Sequence, residues 1–269
     1  MFRLDQKVAI VIGGNGHLGK EFCKALYDFG AIVYCIDHVK LPADPETRFD
    51  SSRYIYREVD ATEKVELEQL AKDIYLTQGR IDVLVNSSTM KGSDFYLPFE
   101  EVSLEGWNIG LLGNLTIPFL AIQAFIPYMK LKQRGSIINI SSVYGVVGND
   151  QRMYEGSNLH EIYVKENPTL NQVYSHGVYN ASKGGINSFT KYLAAYYGKY
   201  NIRVNALSPG GVYHPNENSV FLEKYSDRTP LGRKANVDEM NGGVVYLASD
   251  ASSYVTGHNL IIDGGFSIW

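Results

Sequence analysis

Short apolar runs alternate along the chain with longer stretches whose apolar residues recur every three or four positions. The runs are VAIVI (8–12), IVYCI (32–36), YIYREV (54–59), VLV (83–85), SIINI (136–140), IRVNAL (202–207) and NLII (259–262). Continuous, β-branched runs of this length mark strands covered on both faces, because each parallel crossover lays a helix over the sheet. The stretches between them predict helices over 17–29, 63–78, 103–130, 178–200 and 236–249. In the third helix, Leu104, Trp107, Leu111, Leu115, Ile122, Phe125, Ile126 and Met129 form the stripe expected to face the core. The pattern predicts one α/β domain over residues 1–269, a doubly wound, seven-stranded parallel sheet with helices on both faces.

One segment breaks the alternation. Residues 145–177, GVVGNDQRMYEGSNLHEIYVKENPTLNQVYSHG, separate the fifth strand from the next helix and mix polar with aromatic residues. Structureless segments of that length inside a compact domain tend to carry function. An insert over about 146–177 is therefore expected to cover a substrate, although an oligomer contact would explain it equally well.

Composition narrows the function classes. Apolar residues make up 45% of the chain and charged residues 20%, as in ordinary globular proteins. The formal charge of −4 gives no footprint for nucleic acid or anionic lipid. The start, MFRLDQK, carries no apolar signal core, and no uninterrupted apolar run is expected to reach membrane length, so a cytoplasmic protein is expected. Cys23 and Cys35 lack metal or redox spacing and read as buried, reduced thiols.

Chemistry enters at the end of the first strand, where Gly13-Gly14-Asn15-Gly16-His17-Leu18-Gly19 leads into a helix. Gly13 permits a tight turn, Gly16 lets backbone N–H groups approach a pyrophosphate, and Gly19 lets helix pack on strand. Such a turn alone could be purely structural. Asp37, closing the second strand, adds a carboxylate placed to accept hydrogen bonds from both hydroxyls of an adenosine ribose and to repel a 2′-phosphate. His38 and Val39 follow it and no Arg lies in the glycine turn, so NAD is expected over NADP, although His17 could host a phosphate. Asp37 as a mere turn former is the plainer alternative.

Tyr179 and Lys183 stand four residues apart in a predicted helix and so share a face. An adjacent ammonium stabilises phenolate, which lets a phenol exchange a proton near neutral pH. Ser142 follows the fifth strand at its carboxyl end, where open α/β sheets bind ligands, and can hydrogen-bond a reacting oxygen.

With these motifs in order, the chain resembles the short-chain dehydrogenase/reductase family along its whole length, from the glycine turn to Ile262-Asp263-Gly264-Gly265. Tyr179 and Lys183 match the family's Tyr-x-x-x-Lys, and Ser142, Val143 and Gly145 match its serine motif. The resemblance implies a Rossmann-type fold and a catalytic Asn114, Ser142, Tyr179 and Lys183, with Asn114 holding a water linked to Lys183. It also implies cofactor contacts from Gly13, Asn15, Gly16, His17, Leu18, Gly19, Asp37, Asp60, Ala61, Asn86, Tyr179, Lys183, Pro209, Gly210 and Val212. Asn86-Ser87-Ser88-Thr89 replaces the family's Asn-Asn-Ala-Gly, and only Asn86 carries over. The Gly-x-x-Gly-x-x-Gly spacing departs from the commoner Gly-x-x-x-Gly-x-Gly, with His17 at the middle glycine.

The expected reaction is hydride transfer between nicotinamide and a secondary alcohol or ketone, with no metal. Tyr154, Glu155, Asn158, His160 and Tyr163 in the insert, and the segment from Asn216 to Thr229, suit a sugar or polyol-like small molecule. The runs SVYGVVG, YEGS and YLAAYYGKYNIRVNALSPGGV look like those of flagellin-modification oxidoreductases of sugar biosynthesis. A 3-oxoacyl-type carbonyl reductase and a non-catalytic NAD-binding regulator remain as alternatives. Relatives pair the helices around 103–130 and 178–200, so a homotetramer or homodimer is expected, with the apolar tail Phe266 to Trp269 at an interface.

Overall fold

The computed structural model describes residues 1–39, 49–163 and 172–269. All seven expected strands form: β1 Val8–Ile12, β2 Ile32–Asp37, β3 Tyr54–Glu58, β4 Val83–Asn86, β5 Gly135–Ile140, β6 Ile202–Pro209 and β7 Asn259–Ile262. They make one parallel sheet in the order β3-β2-β1-β4-β5-β6-β7. The order reverses between β1 and β4, and that switch opens a crevice at the carboxyl ends of the strands.

Both faces are buried, as the continuous apolar runs require. Val8, Ile10 and Ile12 of β1 point to one face, under α2 (Lys64–Gln78), α4 (Ile117–Lys132) and α6 (Gly177–Tyr197). Ala9 and Val11 point to the other, under α1 (His17–Asp28) and α8 (Asn241–Ala248), where Cys23 and Cys35 lie buried and unbridged. A third apolar cluster forms outside the sheet. Val143, Met153, Tyr154, Leu159, Val173, Phe221, Tyr225 and Phe266 join the insert to the segment after β6.

One expectation needs correction. The predicted third helix is α3 (Leu104–Leu111), a π turn over Leu112–Thr116, and α4. The π turn's extra residue rotates the buried face, so Leu104 is exposed, while Gly106, Gly110, Gly113 and Asn114 turn inward. By mean hydropathy Leu104–Lys132 is long and apolar enough to cross a membrane, but Asn114, Thr116 and Gln123 interrupt its apolar run and more than half of its most apolar window is buried against the sheet and neighbouring helices. Within the chain, Phe266 of the tail stacks on Tyr225 inside the third cluster, while Ile268 and Trp269 are exposed.

The segment from Asn216 to Thr229 holds a helix absent from the periodicity analysis, α7 (Ser219–Arg228), whose first turn is capped by the Asn218 side chain accepting from Phe221 N at 3.1 Å. The insert contains the short helix α5 (Leu159–Tyr163), and Asn158 fastens it to this segment through Asn216 O and Asn218 N, each at 2.8 Å. The insert's residues 164–171 lie outside the described residues.

Phe125 is wholly buried where α4 meets the sheet. Phe125→Ala is expected to destabilise the protein by about 3–5 kcal/mol, read from the midpoint of chemical denaturation.

Candidate active site

The glycine turn bends the chain from β1 into α1. Gly13 sits at φ 74°, a left-handed conformation that favours glycine, and a Cβ there would meet the Ser87 backbone at 2.9 Å. At Gly19 a Cβ would come within 2.0 Å of the Gly13 carbonyl oxygen, so helix and turn touch backbone to backbone. No side chain caps the N-terminus of α1, whose first N–H groups and positive dipole end therefore remain available to an anion.

A groove of about 590 Å³ runs from this turn across the ends of β1, β2 and β3. Gly13, Asn15, Gly16, Asp37, Asp60 and Ala61 line it as expected. Asp37 accepts from Asn15 N at 3.0 Å and Val39 N at 3.2 Å, tying the acid to the turn. Thr62 holds the Asp60 carboxylate through its hydroxyl at 2.7 Å and its N–H at 2.9 Å, which lowers the acid's pKa. Lys20, which the motifs had not marked, also lines the groove.

Gly16 and residues 87–89 are shared with a second cavity of about 380 Å³ over β5 and β6, so the two form one crevice. His17, Leu18, Gly19, Ser142, Tyr179, Lys183, Pro209, Gly210 and Val212 line the second cavity. Of the insert residues expected there, Tyr154 reaches the wall, while Glu155, Asn158 and His160 do not; the Tyr163 side chain lies outside the described part of the structure.

Ser142, Tyr179 and Lys183 are positioned by fastenings between β5 and α6. Lys183 Nζ donates to Ile140 O at 2.8 Å, and Ser141 Oγ donates to Lys183 O at 3.0 Å. Gly145 packs so tightly against the Lys183 backbone that a Cβ would meet its carbonyl oxygen at 2.6 Å. Deeper in, Asn86 Nδ2 donates to Asn139 Oδ1 at 2.8 Å and Asn139 Nδ2 to Thr190 Oγ1 at 2.9 Å, linking β4, β5 and α6. Asn86 thus lies behind the wall as a cross-tie. Asn114, buried in the π turn rather than turned to solvent, donates from Nδ2 to Gly110 O at 2.8 Å and also lies behind the wall.

Electrostatically the site departs from the expectation that the ammonium governs the phenol. Burial raises the Tyr179 pKa above its usual value, and the nearby Ser142 hydroxyl pulls it back. Burial also brings Lys183 down to about 8. Its ammonium is directed to the Ile140 carbonyl and lies 5.5 Å from the centre of the Tyr179 ring.

The crevice fits a dinucleotide. Its middle presents uncapped amides, one end an acid for ribose hydroxyls, the other a phenol and a hydroxyl. The Oδ1 atoms of Asn15, Asn86 and Asn114 are buried without partners among the described residues. Fold and site together define a nicotinamide-dependent oxidoreductase of the Rossmann type.

Comparison with known proteins agrees. The short chain dehydrogenase model matches residues 7–158, and one described as enoyl-(acyl carrier protein) reductase matches residues 168–267. The chain belongs to the short-chain dehydrogenase/reductase family, enzymes acting on CH–OH groups with nicotinamide cofactors. It is 30% identical over 278 residues to a cyclopentanol dehydrogenase of Comamonas testosteroni, covering 99% of both chains. To the post-translational flagellin modification protein A of Campylobacter coli it is 30% identical, covering 98% of this chain and 100% of that one. A short chain dehydrogenase from Leptospira borgpetersenii, solved with bound NAD+, superposes with TM-score 0.83 at 34% identity, over 98% of this chain and 93% of the other. A gluconate 5-dehydrogenase from Burkholderia cenocepacia, in complex with NADP and tartrate, gives TM-score 0.83 at 25% identity, over 100% and 98%.

Gly19→Ala forces α1 away from the turn. It is expected to weaken dinucleotide binding at least about tenfold, measured by titrating NADH fluorescence, and to lower thermal stability.

Proposed function

We propose that the protein is an NAD-dependent oxidoreductase that transfers a hydride between nicotinamide and a secondary alcohol or ketone of a sugar or polyol-like substrate. The observation that carries this is Tyr179 and Ser142 on the wall of a cavity confluent with the groove that ends at Asp37. NAD is favoured because Asp37 faces the ribose end, where its charge opposes a 2′-phosphate, Lys20 and His38 notwithstanding.

Nicotinamide, when bound, supplies the hydride acceptor or donor. The amides of Gly16, His17, Leu18 and Gly19 would hold the pyrophosphate, Asp60 and Ala61 would border the adenine, and Pro209, Gly210 and Val212 would border the nicotinamide end. Lys183 would bind the nearer ribose. Tyr179 gives its proton to a carbonyl oxygen in reduction and takes one from a hydroxyl in oxidation, while Ser142 holds that oxygen by a hydrogen bond. Asn114 would complete a proton relay through Lys183. The third apolar cluster joins the insert and α7 into a cover over the substrate half. Exposed Phe119, Tyr192 and Tyr196 on α4 and α6 support assembly of copies through those helices.

Tyr179→Phe is expected to lower turnover at least about a thousandfold while NAD binding, followed by fluorescence, persists. Retained turnover would overturn the assignment. Because burial raises the phenol's pKa, it stays protonated at neutral pH, ready for reduction; alcohol oxidation should therefore accelerate as pH rises, and carbonyl reduction should decline. Ser142→Ala removes the hydroxyl that lowers this pKa, so the oxidation profile should move to higher pH with a rate loss of about a hundredfold. Asp37→Ser should shift the ratio of kcat/KM toward NADP by about tenfold or more in coupled absorbance assays.

A further inference from the structure

The substrate half of the crevice carries an uneven set of charges. Among the described residues lining it there is no aspartate or glutamate, but there are two lysines. Lys183 is directed to the Ile140 carbonyl and belongs to the catalytic helix. Lys91, in the loop after β4, has no part in the chemistry described so far.

Lys91 Nζ donates to the Tyr96 hydroxyl at 2.6 Å and lies 5.6 Å from the centre of the Phe95 ring. The surrounding protein displaces water from the ammonium and lowers its pKa. An ammonium from which water is displaced gains from an incoming anion, and the described residues of this wall include no carboxylate. Beside it, His176 packs on Phe95 with ring centres 3.8 Å apart. Burial and the Lys91 charge push its pKa down to about 3, so the ring is neutral at physiological pH. Its Nδ1 is buried and makes no well-formed hydrogen bond among the described residues, although the Phe95 and Tyr174 backbone lies close enough to raise the ring's pKa slightly against that effect. The pair also stands near the reacting centre, because the Phe95 and His176 rings each lie 6.4 Å from the Tyr179 ring.

We propose that Lys91 and His176 form an anion subsite and that the substrate is a hydroxy or polyhydroxy acid, its carboxylate held there while a nearby carbinol meets Tyr179 and Ser142. A single cation beside a neutral imidazole matches one singly charged carboxylate better than it matches a phosphate. The inference rests on the hydride-transfer function proposed above and assigns the specificity of that same cavity. Lys91 is a specificity residue, and the proton moves through Tyr179 whether or not the substrate is charged.

The test compares aldonates of four to six carbons with alditols that differ from them only in bearing CH2OH in place of carboxylate, each assayed with NAD. The acids should show kcat/KM about 10- to 100-fold above the matched alcohols, and Lys91→Met should collapse that ratio through KM, whereas Lys91→Arg should retain it. Equal kcat/KM for acids and alcohols in the wild type, or equal loss for both in Lys91→Met, would overturn the subsite. Calorimetric titration of the acids into the enzyme–NADH complex provides an arm that does not depend on turnover. Acid binding that Lys91→Met weakens at least about tenfold, with no probe oxidised, upholds the subsite and counts against the hydride-transfer function. No difference in binding between acid and alcohol overturns the subsite whatever the activity.

Discussion

The structure depends on the seam between the carboxyl end of β5 and the middle of α6. There the Lys183 ammonium donates to the Ile140 carbonyl, Ser141 donates back to the Lys183 carbonyl, and Gly145 lies flat on the same backbone. These contacts join strand and helix through groups one to four residues away from Ser142 and Tyr179, so the two side chains meet at one cavity. Buried polar groups of this kind are costly unless satisfied, and each bond therefore also fixes a register. The Asn86–Asn139–Thr190 chain performs the same task one layer deeper.

The same seam explains why a basic side chain contributes less to phenol acidity than its spacing suggests. Four residues along a helix bring Tyr179 and Lys183 to one face, but a buried ammonium seeks the strongest acceptor within reach, here a strand-end carbonyl. Burial then dominates both groups, raising the phenol and lowering the amine. The resting site is a protonated phenol beside a hydroxyl.

At the other end of the crevice the constraint is space rather than charge. Gly13 and Gly19 are glycines because backbone lies against backbone, and that closeness leaves the start of α1 uncapped and facing the junction of the two cavities. The insert and α7 are joined by the apolar cluster of Met153, Tyr154, Phe221, Tyr225 and Phe266. The glycine turn and this cluster are thus built from separate pieces of chain on one sheet.

Much of this was legible in the chain itself. The seven apolar runs match the seven strands within a residue or two, because burial on both faces imposes its composition locally. The glycine turn, Asp37, Ser142 and the Tyr179–Lys183 pair were readable because their chemistry needs fixed spacing along one segment. Other features arise only where distant segments meet. The π turn that buries Asn114 and exposes Leu104, the inward tie of Asn86, the burial of Phe266 and the approach of Lys91 and His176 to the catalytic wall leave no periodic trace. Sequence determined the elements and the reactive groups, since those follow from neighbours along the chain; tertiary structure decided which loops converge at the carboxyl edge of the sheet, and hence what surrounds the phenol, because that depends on packing between segments far apart in the chain.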